Sequence, residues 1–185
     1  MKEYTPMEIQ DLPKITASKQ DYSCPFFTVR HDSLQHPGDG SSEYYVIEFP
    51  TVAAVIAEHE GKFLFVSQYR HPIRERTIEF PMGRVDKHEL IEEAANRELQ
   101  EESGFRANSL TRLFALVSFV GQADHHIEFF LAKDLVESTK QADPGEYNLT
   151  TQWMSPEEID DAITQGIVNH SETIAAWYKF KLTQK

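Results

Sequence analysis

Short runs of β-branched and aromatic residues, separated by polar turn formers, dominate the first half of the chain. The turn-rich segment 36–42 joins the first two runs as a predicted hairpin, and residues 58–61 join the next two. Residues 1–22 have no periodicity and predict a loose polar arm. We therefore expect a small N-terminal β-subdomain, residues 1–50, ahead of a main domain, residues 51–185. The predicted strands lie at residues 26–30, 44–49, 52–57, 62–67 and 77–80.

The pattern changes to a helical period between His88 and Ser103. Gly104 follows at a position where glycine commonly ends a helix. Apolar runs at 110–119 and 127–131 then predict two further strands. The apolar positions of the predicted helix are Leu90, Ile91, Ala94, Ala95 and Leu99.

The last third of the chain predicts two helices. Residues 155–158, Ser-Pro-Glu-Glu, form a capping box with proline at the first helical position. That helix should end near Gly166, and the second should begin near Ser171 and continue through Phe180. Because strands and helices do not alternate regularly, the order favours a mixed-sheet α+β fold or α/β/α sandwich over a doubly wound parallel sheet.

Composition narrows the class of protein. The 185 residues carry 18 Lys and Arg against 30 Asp and Glu, a formal net charge of −12. This charge disfavours binding to nucleic acid or to an anionic membrane. No apolar run approaches the roughly 20 residues of a membrane helix, and residues 1–6 lack the apolar core of a signal peptide. With the single Cys24 excluding an internal disulfide, the expectation is a cytoplasmic globular protein.

Seven carboxylates fall within residues 86–102. On a helix, Glu98 and Glu102 project from one face, and Glu101 borders it. Like charges at this spacing repel each other, so a hard divalent cation such as Mg²⁺ is the natural compensation. The alternative is an ordinary solvated acidic face, which is the usual meaning of a charge run.

Two residues near these carboxylates have a predicted role of their own. Arg97 can pair with Glu93 and Glu101, one turn away on either side. Gly83 permits a backbone conformation or a close approach that a side chain would forbid, and either could let a main-chain carbonyl near Met82 join the metal site.

The spacing of this segment resembles the Nudix hydrolase signature at every defined position: Gly83, five residues, Glu89, seven residues, then Arg97-Glu98-Leu99-x-Glu101-Glu102-x-Gly104-Phe105. The resemblance implies a mixed-sheet α/β/α sandwich that hydrolyses a nucleoside diphosphate linked to another group, with Mg²⁺ or Mn²⁺. It implies metal-site carboxylates at Glu98, Glu101 and Glu102, and an orienting pair of Glu89 and Arg97. Water activated by the metal attacks phosphorus, and a carboxylate takes the proton.

The flanking segments resemble the ADP-ribose and nucleoside-diphosphate-sugar pyrophosphatase branch of that family. By position, Arg70 and Glu79 match branch residues that contact the substrate diphosphate and the metal site. The branch also implies a homodimer that exchanges the N-terminal β-subdomain. The expected products are a nucleoside monophosphate and a sugar phosphate. The segments that carry this resemblance are 66–70, 79–83, 130–135 and 166–176.

Several assignments remain open at this point. His125 stands where the branch often has a glutamate, so Asp124 or Glu128 could substitute as the base, or the base could be Glu98 or Glu101. Asp124 is also a candidate for substrate binding.

The stretch 62–84 is locally basic, and its Arg70 and Arg84 are expected to face phosphate. Other substrates of the same family, such as a dinucleoside polyphosphate or NADH, are alternatives to a nucleotide sugar. A non-hydrolytic nucleotide-sugar sensor on the same fold is a further one.

Overall fold

The structure, a computed structural model, describes residues 12–140 and 148–184. The chain divides into two compact units, one made of the residues up to Phe49 with 119–124, the other of 50–118 with the residues from His125 onward. The elements are β1 Lys14–Ser23, β2 Thr28–Gln35, β3 Ser41–Glu48, β4 Val52–His59, β5 Lys62–Arg70, β6 Glu75–Glu79, β7 Met82–Arg84, α1 Ile91–Ser103, β8 Phe105–Ser118, β9 Ala123–Glu137, β10 Thr150–Met154, α2 Pro156–Thr164 and α3 Ser171–Thr183.

The first unit is built on an antiparallel meander of β1, β2 and β3. The end of β3 pairs in parallel with Ala123 and Asp124 at the start of β9. The predicted loose arm covers residues 1–22, of which residues 1–11 lie outside the described residues. This expectation is wrong for residues 14–22, which form most of β1. The reason is that every residue of β1 is exposed, so main-chain pairing with β2 forms the strand without any apolar alternation.

The second unit contains a mixed sheet. Strand β4 runs parallel to β9 and antiparallel to β7, while β5 pairs antiparallel with β4, β6 and β10. The sequence did not predict β10, whose first three residues, Thr150, Thr151 and Gln152, are polar and exposed. The mixed sheet confirms the predicted α+β class and excludes a doubly wound parallel sheet.

Helices cover both faces of this sheet, because side chains along a strand point alternately to opposite sides. In β4, Ala54 and Ile56 pack with Ile159 of α2 and Trp177 of α3. Their neighbours in β4 join Leu99 of α1 in a separate core. The unit is therefore the predicted α/β/α sandwich, with α1 on one face and α2 and α3 on the other.

The helix ends follow local chemistry. Helix α1 begins at Ile91 rather than at His88, because His88 has a φ of +74° and cannot be helical. Gly104, with a φ of +81°, ends α1 as predicted and donates its N–H to the Gln100 carbonyl. The capping box at Ser155 is present. Among the described residues, no helix is both long and apolar enough to cross a membrane.

Candidate active site

Helix α1 carries two carboxylates on its buried side. Glu98 is 7% exposed and Glu102 is 1% exposed, beside the apolar Leu99. Burying a carboxylate is unfavourable unless hydrogen bonds or opposite charges compensate. The Met82 N–H donates to Glu102 Oε2 at 3.0 Å, which binds β7 to the helix. The four-residue spacing predicted from the sequence thus places both carboxylates against the strand that follows Pro81.

Gly83 is required by this arrangement. A Cβ atom built at Gly83 would lie 2.1 Å from Glu98 Cδ and 2.2 Å from each of its carboxylate oxygens. The Glu98 carboxylate therefore occupies the space that any other residue would need. The close approach predicted for Gly83 is present in the structure.

Arg97 is the cation at the centre of the carboxylates. Its Nε and Nη2 donate to the two oxygens of Glu89 at 2.8 and 2.9 Å. Its Nη1 donates to Glu98 Oε1 at 2.7 Å and to Glu101 Oε2 at 2.8 Å. Glu93, predicted as a partner, takes no part in the hydrogen bonds of Arg97, because Glu89 reaches back from the loop before the helix.

The main chain completes the environment of Arg97. Its Nη2 also donates to the Arg84 carbonyl at 2.8 Å, so the guanidinium connects β7 to α1. The hydrogen bonds from Arg97 lower the pKa of Glu89 below its ordinary value, against the opposing effect of partial burial. Arg97 and Glu89 thus form the ion pair whose orienting role was inferred from the signature.

A second group of charged side chains is centred on Glu79, three residues before Met82 in the chain. Glu79, at the end of β6, is 0% exposed, and Arg70, at the end of β5, donates from Nε to its Oε1 at 2.8 Å. The Arg70 Nη2 and the Thr77 hydroxyl donate to the same carboxylate. Burial raises the pKa of Glu79, but Arg70 and Thr77 outweigh it and hold the pKa below its ordinary value. Full burial favours a role behind Arg70 over direct contact with substrate.

The sequence reasoning missed His170, which lies at the N-cap of α3. Its Nε2 is 3.8 Å from Glu79 Oε2 and 3.1 Å from Glu172 Oε2. Only its place in the segment 166–176 could have drawn attention to it, because its contact with Glu79 joins residues far apart in the chain.

The two alternative bases outside the helix have different surroundings. Glu128, in β9, is held by Arg112 of β8 through two hydrogen bonds of 3.0 and 2.7 Å. Asp124 belongs to the first compact unit, where its main chain lies opposite Glu48 in the parallel pairing of β9 with β3. His125, which stands in the place of the branch glutamate, is half-buried, and this burial lowers its pKa.

The donor set fits a hard divalent cation in kind. Glu98 and Glu102 offer carboxylate oxygens from one helix face, and Mg²⁺ commonly uses one or two carboxylates, with waters and substrate phosphates supplying the remaining ligands. Within 12–140 and 148–184, no group of three or more acidic, His or Cys side chains is already assembled for a metal. Glu101, like Glu98, accepts a hydrogen bond from Arg97 through one of its two carboxylate oxygens.

The chain matches known proteins over most of its length. The NUDIX domain matches residues 48–177. An ADP-ribose pyrophosphatase of Bacillus subtilis (strain 168) is 32% identical over 137 residues, covering 72% of this chain and 74% of the relative. A methanol dehydrogenase activator of Bacillus methanolicus is 30% identical over 130 residues, 70% of each chain. The crystal structure of an ADP compounds hydrolase superposes with a TM-score of 0.83 over 94% of both chains at 22% identity, which supports the fold.

Proposed function

Since this chain belongs to the NUDIX domain family and is a Nudix pyrophosphatase, we propose that it hydrolyses the diphosphate bond of ADP-ribose or a related nucleoside diphosphate sugar with Mg²⁺ or Mn²⁺. The buried pair of Glu98 and Glu102 against Gly83 carries the proposal. Glu98 shares the Arg97 guanidinium with two other carboxylates, and Glu102 is buried four residues further along the same helix face, so this concentration of negative charge favours a cationic ligand. The ADP-ribose pyrophosphatase relative supports the choice of substrate.

Each side chain has a distinct task in this proposal. Glu98 and Glu102, with the Met82 carbonyl and with Glu101, would hold the metal. When bound, a divalent cation lowers the pKa of a coordinated water and offsets the charge of the diphosphate. Arg97 orients the carboxylates through its hydrogen bonds to α1 and to the loop before it.

Arg70 and Arg84 are proposed to bind the diphosphate, because a guanidinium can donate two parallel hydrogen bonds to phosphate oxygens. Water attacks one phosphorus, the bond from that phosphorus to the bridging oxygen breaks, and a carboxylate accepts the proton of the water. A nucleoside monophosphate and a sugar phosphate leave. Asp124 remains a candidate contact to the substrate.

We place the base at Glu98 or Glu101 rather than at Glu128. Both oxygens of Glu128 accept hydrogen bonds from Arg112 of β8, so this carboxylate is engaged by a bidentate contact to a residue outside the helix cluster.

The assay measures products from ADP-ribose, other nucleoside diphosphate sugars, NADH and dinucleoside polyphosphates, with Mg²⁺ or Mn²⁺ present. We expect adenosine monophosphate and ribose 5-phosphate from ADP-ribose, and complete loss of turnover with a chelator. In ¹⁸O-labelled water, the product that carries the label identifies the attacked phosphorus. Faster hydrolysis of NADH or of a dinucleoside polyphosphate would contradict the proposal that the substrate is a nucleoside diphosphate sugar. Turnover without a metal would contradict the proposed metal site.

The matched variants are Glu102→Gln and Glu137→Gln, the second an exposed glutamate at the end of β9. We expect Glu102→Gln to lower kcat by at least about 10³-fold, since a neutral amide is a poor ligand for a hard cation. Glu137→Gln should retain wild-type activity. Tight binding of ADP-ribose without any turnover would instead indicate a sensor.

We further propose that the chain works as a cytoplasmic homodimer that exchanges the β-subdomain of residues 1–50. The first unit exposes Tyr22, Phe26 and Tyr45, and exposed aromatic residues of this kind often mark an interface. Light scattering should give twice the monomer mass of 21.3 kDa. A monomer at assay concentration would contradict the exchange.

A further inference from the structure

Residues at the start of α3 lie close to the end of β6, where the buried Glu79 is located. Thr173, which is buried, accepts the Phe80 N–H at 3.3 Å and lies 2.9 Å from His170 Nδ1. These contacts fix the His170 ring beside the end of β6. The catalytic proposal above uses none of these α3 residues.

The Nε2 atom of His170 lies near two carboxylates. Its Nε2 faces carboxylate oxygens of Glu172 at 3.1 Å and of Glu79 at 3.8 Å. Both carboxylates present acceptor oxygens to this nitrogen, so a donor at Nε2 makes both contacts attractive. The distance to Glu79 allows electrostatic attraction but is too long for a hydrogen bond.

Glu172 in turn holds the His170 ring in place. The Ser118 hydroxyl, at the end of β8, donates to Glu172 Oε1, and the Ser171 hydroxyl donates to Oε2 at 2.7 Å. Burial raises the pKa of Glu172, but these hydrogen bonds and His170 outweigh it, so the group stays ionised. The result is a continuous polar chain from Ser118 through Glu172 and His170 to Glu79 and Arg70.

We propose that His170 is a positioning residue, which aims the Arg70 guanidinium at the substrate diphosphate by holding the Glu79 carboxylate in one orientation. The inference rests on the proposed function, because it takes Arg70 as the diphosphate contact. A buried carboxylate that loses a neighbouring attractive group shifts toward its remaining partners, and a guanidinium paired with both of its oxygens moves with it. His170 needs no contact with substrate for this role.

Two substitutions of His170 distinguish the contact made by its Nδ1 from the contacts made by its Nε2. In His170→Gln, the side-chain amide can reach the place of Nε2 and donate to Glu172 and Glu79. In His170→Asn, the shorter amide can keep the contact with Thr173 but loses the Nε2 donor. His59→Asn is the control, because His59 is an exposed histidine at the end of β4. Circular dichroism establishes that each variant is folded.

The first measurement needs no turnover. The Arg70 Nε–H donates to Glu79 at 2.8 Å, so its ¹H–¹⁵N resonance reports the geometry of the pair. The resonance is assigned by its loss in Arg70→Lys. We expect it to shift in His170→Asn, to stay near its wild-type position in His170→Gln, and to be unchanged in His59→Asn. An unmoved resonance in a folded His170→Asn protein overturns the inference, even if the enzyme hydrolyses ADP-ribose.

The second measurement is a double-mutant cycle on the diphosphate substrate that the wild type uses best. We expect His170→Asn to lower kcat/KM about tenfold, mainly by raising KM, and His170→Gln to restore most of it. In the Arg70→Lys background, His170→Asn should cost less than about twofold, because the residue through which it acts is already altered.

The outcomes separate the two proposals. Equal losses from His170→Asn in both backgrounds would show that His170 acts independently of Arg70 and would overturn the inference. A wild-type protein without turnover on any diphosphate in the panel would refute the proposed function, while the Arg70 resonance would still decide whether His170 positions that side chain.

Discussion

Replacing Gly83 by alanine would place a methyl group where the Glu98 carboxylate lies. The added Cβ would be 2.1 Å from Glu98 Cδ, far inside an ordinary contact. The backbone itself accepts alanine, because Gly83 lies in β7 and is not one of the glycines with positive φ. The steric conflict therefore falls on a single side chain, the one we propose as a metal ligand.

The size of the conflict sets the expected effect. Glu98 Cδ must retreat by about 1.3 Å to reach an ordinary contact of 3.4 Å. A misplacement of about 1 Å in a catalytic site can lower a rate by about 10²-fold. On the stability side, glycine to alanine at a permitted backbone position stabilises by about 0.4–1 kcal/mol, which offsets about 1 kcal/mol from a strained Arg97–Glu98 hydrogen bond.

We therefore expect kcat to fall about 100-fold, while Tm stays within about 3 °C of the wild type. The assay is steady-state hydrolysis of ADP-ribose at saturating Mg²⁺, with thermal unfolding measured on the same samples. Gly40→Ala is the matched control, because its added Cβ would meet His36 Cβ at 3.6 Å, an ordinary contact. This control should retain both activity and stability.

A second substitution tests the cause. Glu98→Asp withdraws the carboxylate by one methylene, so adding Gly83→Ala in that background should cost less than about threefold. A Gly83→Ala protein that keeps more than a third of wild-type kcat would refute the reasoning. So would a loss of equal size in the Glu98→Asp background, since the clash would then not be the cause.

Three further predictions concern the base, the central arginine and acid stability. Glu128→Gln should keep activity within about threefold and Glu101→Gln should lower kcat by at least about 100-fold; the reverse order in steady-state assays would move the base to β9. Arg97→Lys should lower kcat by at least about tenfold, because an ammonium cannot reproduce the fork that Arg97 presents, and excess Mg²⁺ should not restore it. Burial raises the pKa of Asp160, but hydrogen bonds from Lys181 and from the indole N–H of Trp177 outweigh it and hold this pKa below its ordinary value of 3.8. The ion pair of Asp160 and Lys181 therefore stabilises the fold fully above pH 3.8, and its contribution is lost as the pH falls further. The Tm difference between wild type and Asp160→Asn should therefore shrink as pH falls below about 3.8, and a constant difference would contradict this assignment.

The part of the site that follows from local spacing could be predicted from the sequence. Glu98 and Glu102 share a helix face because they are four residues apart, and the structure keeps them together. The close approach at Gly83 also followed, since a glycine beside a carboxylate cluster admits a group that a Cβ would exclude. Both inferences needed only the helix and the short chain before it.

The misplaced boundaries have local causes that hydrophobic patterning does not detect. His88 adopts a left-handed conformation, so α1 starts three residues later than the apolar pattern indicated. Strand β1 is exposed on both faces and β10 begins with exposed polar residues, so neither shows alternation. Strand β1 forms by main-chain pairing with β2, and β10 forms by main-chain pairing with β5. Such pairing does not require a pattern of apolar side chains, so hydropathy does not predict it.

The surroundings of Glu79 could not be predicted, because they join distant parts of the chain. Phe80 and Thr173 are 93 residues apart in sequence yet share a hydrogen bond. No sequence pattern distinguishes His170 from any other histidine before a helix. Its proposed role depends on the buried Glu79, which only the fold brings close to it. Arg70 and Glu79, nine residues apart on neighbouring strands, lie between these extremes. The register of β5 and β6 places Arg70 opposite Glu75, so the contact with Glu79 is not a cross-strand pair, and only the resemblance singled out the two residues.

The distribution of charge explains why an acidic protein can act on an anionic substrate. The guanidinium of Arg97 is shared by three carboxylates, those of Glu89, Glu98 and Glu101, so this group of side chains has an excess of negative charge that would repel a diphosphate. The buried Glu79, by contrast, has a cation of its own in Arg70. Divalent cations can offset the first excess only while they are bound, whereas the second pair is balanced by the chain itself. Chelation should therefore abolish turnover and leave the Arg70–Glu79 pair intact, so loss of that pair with the metal would show that the two clusters are not electrostatically separate.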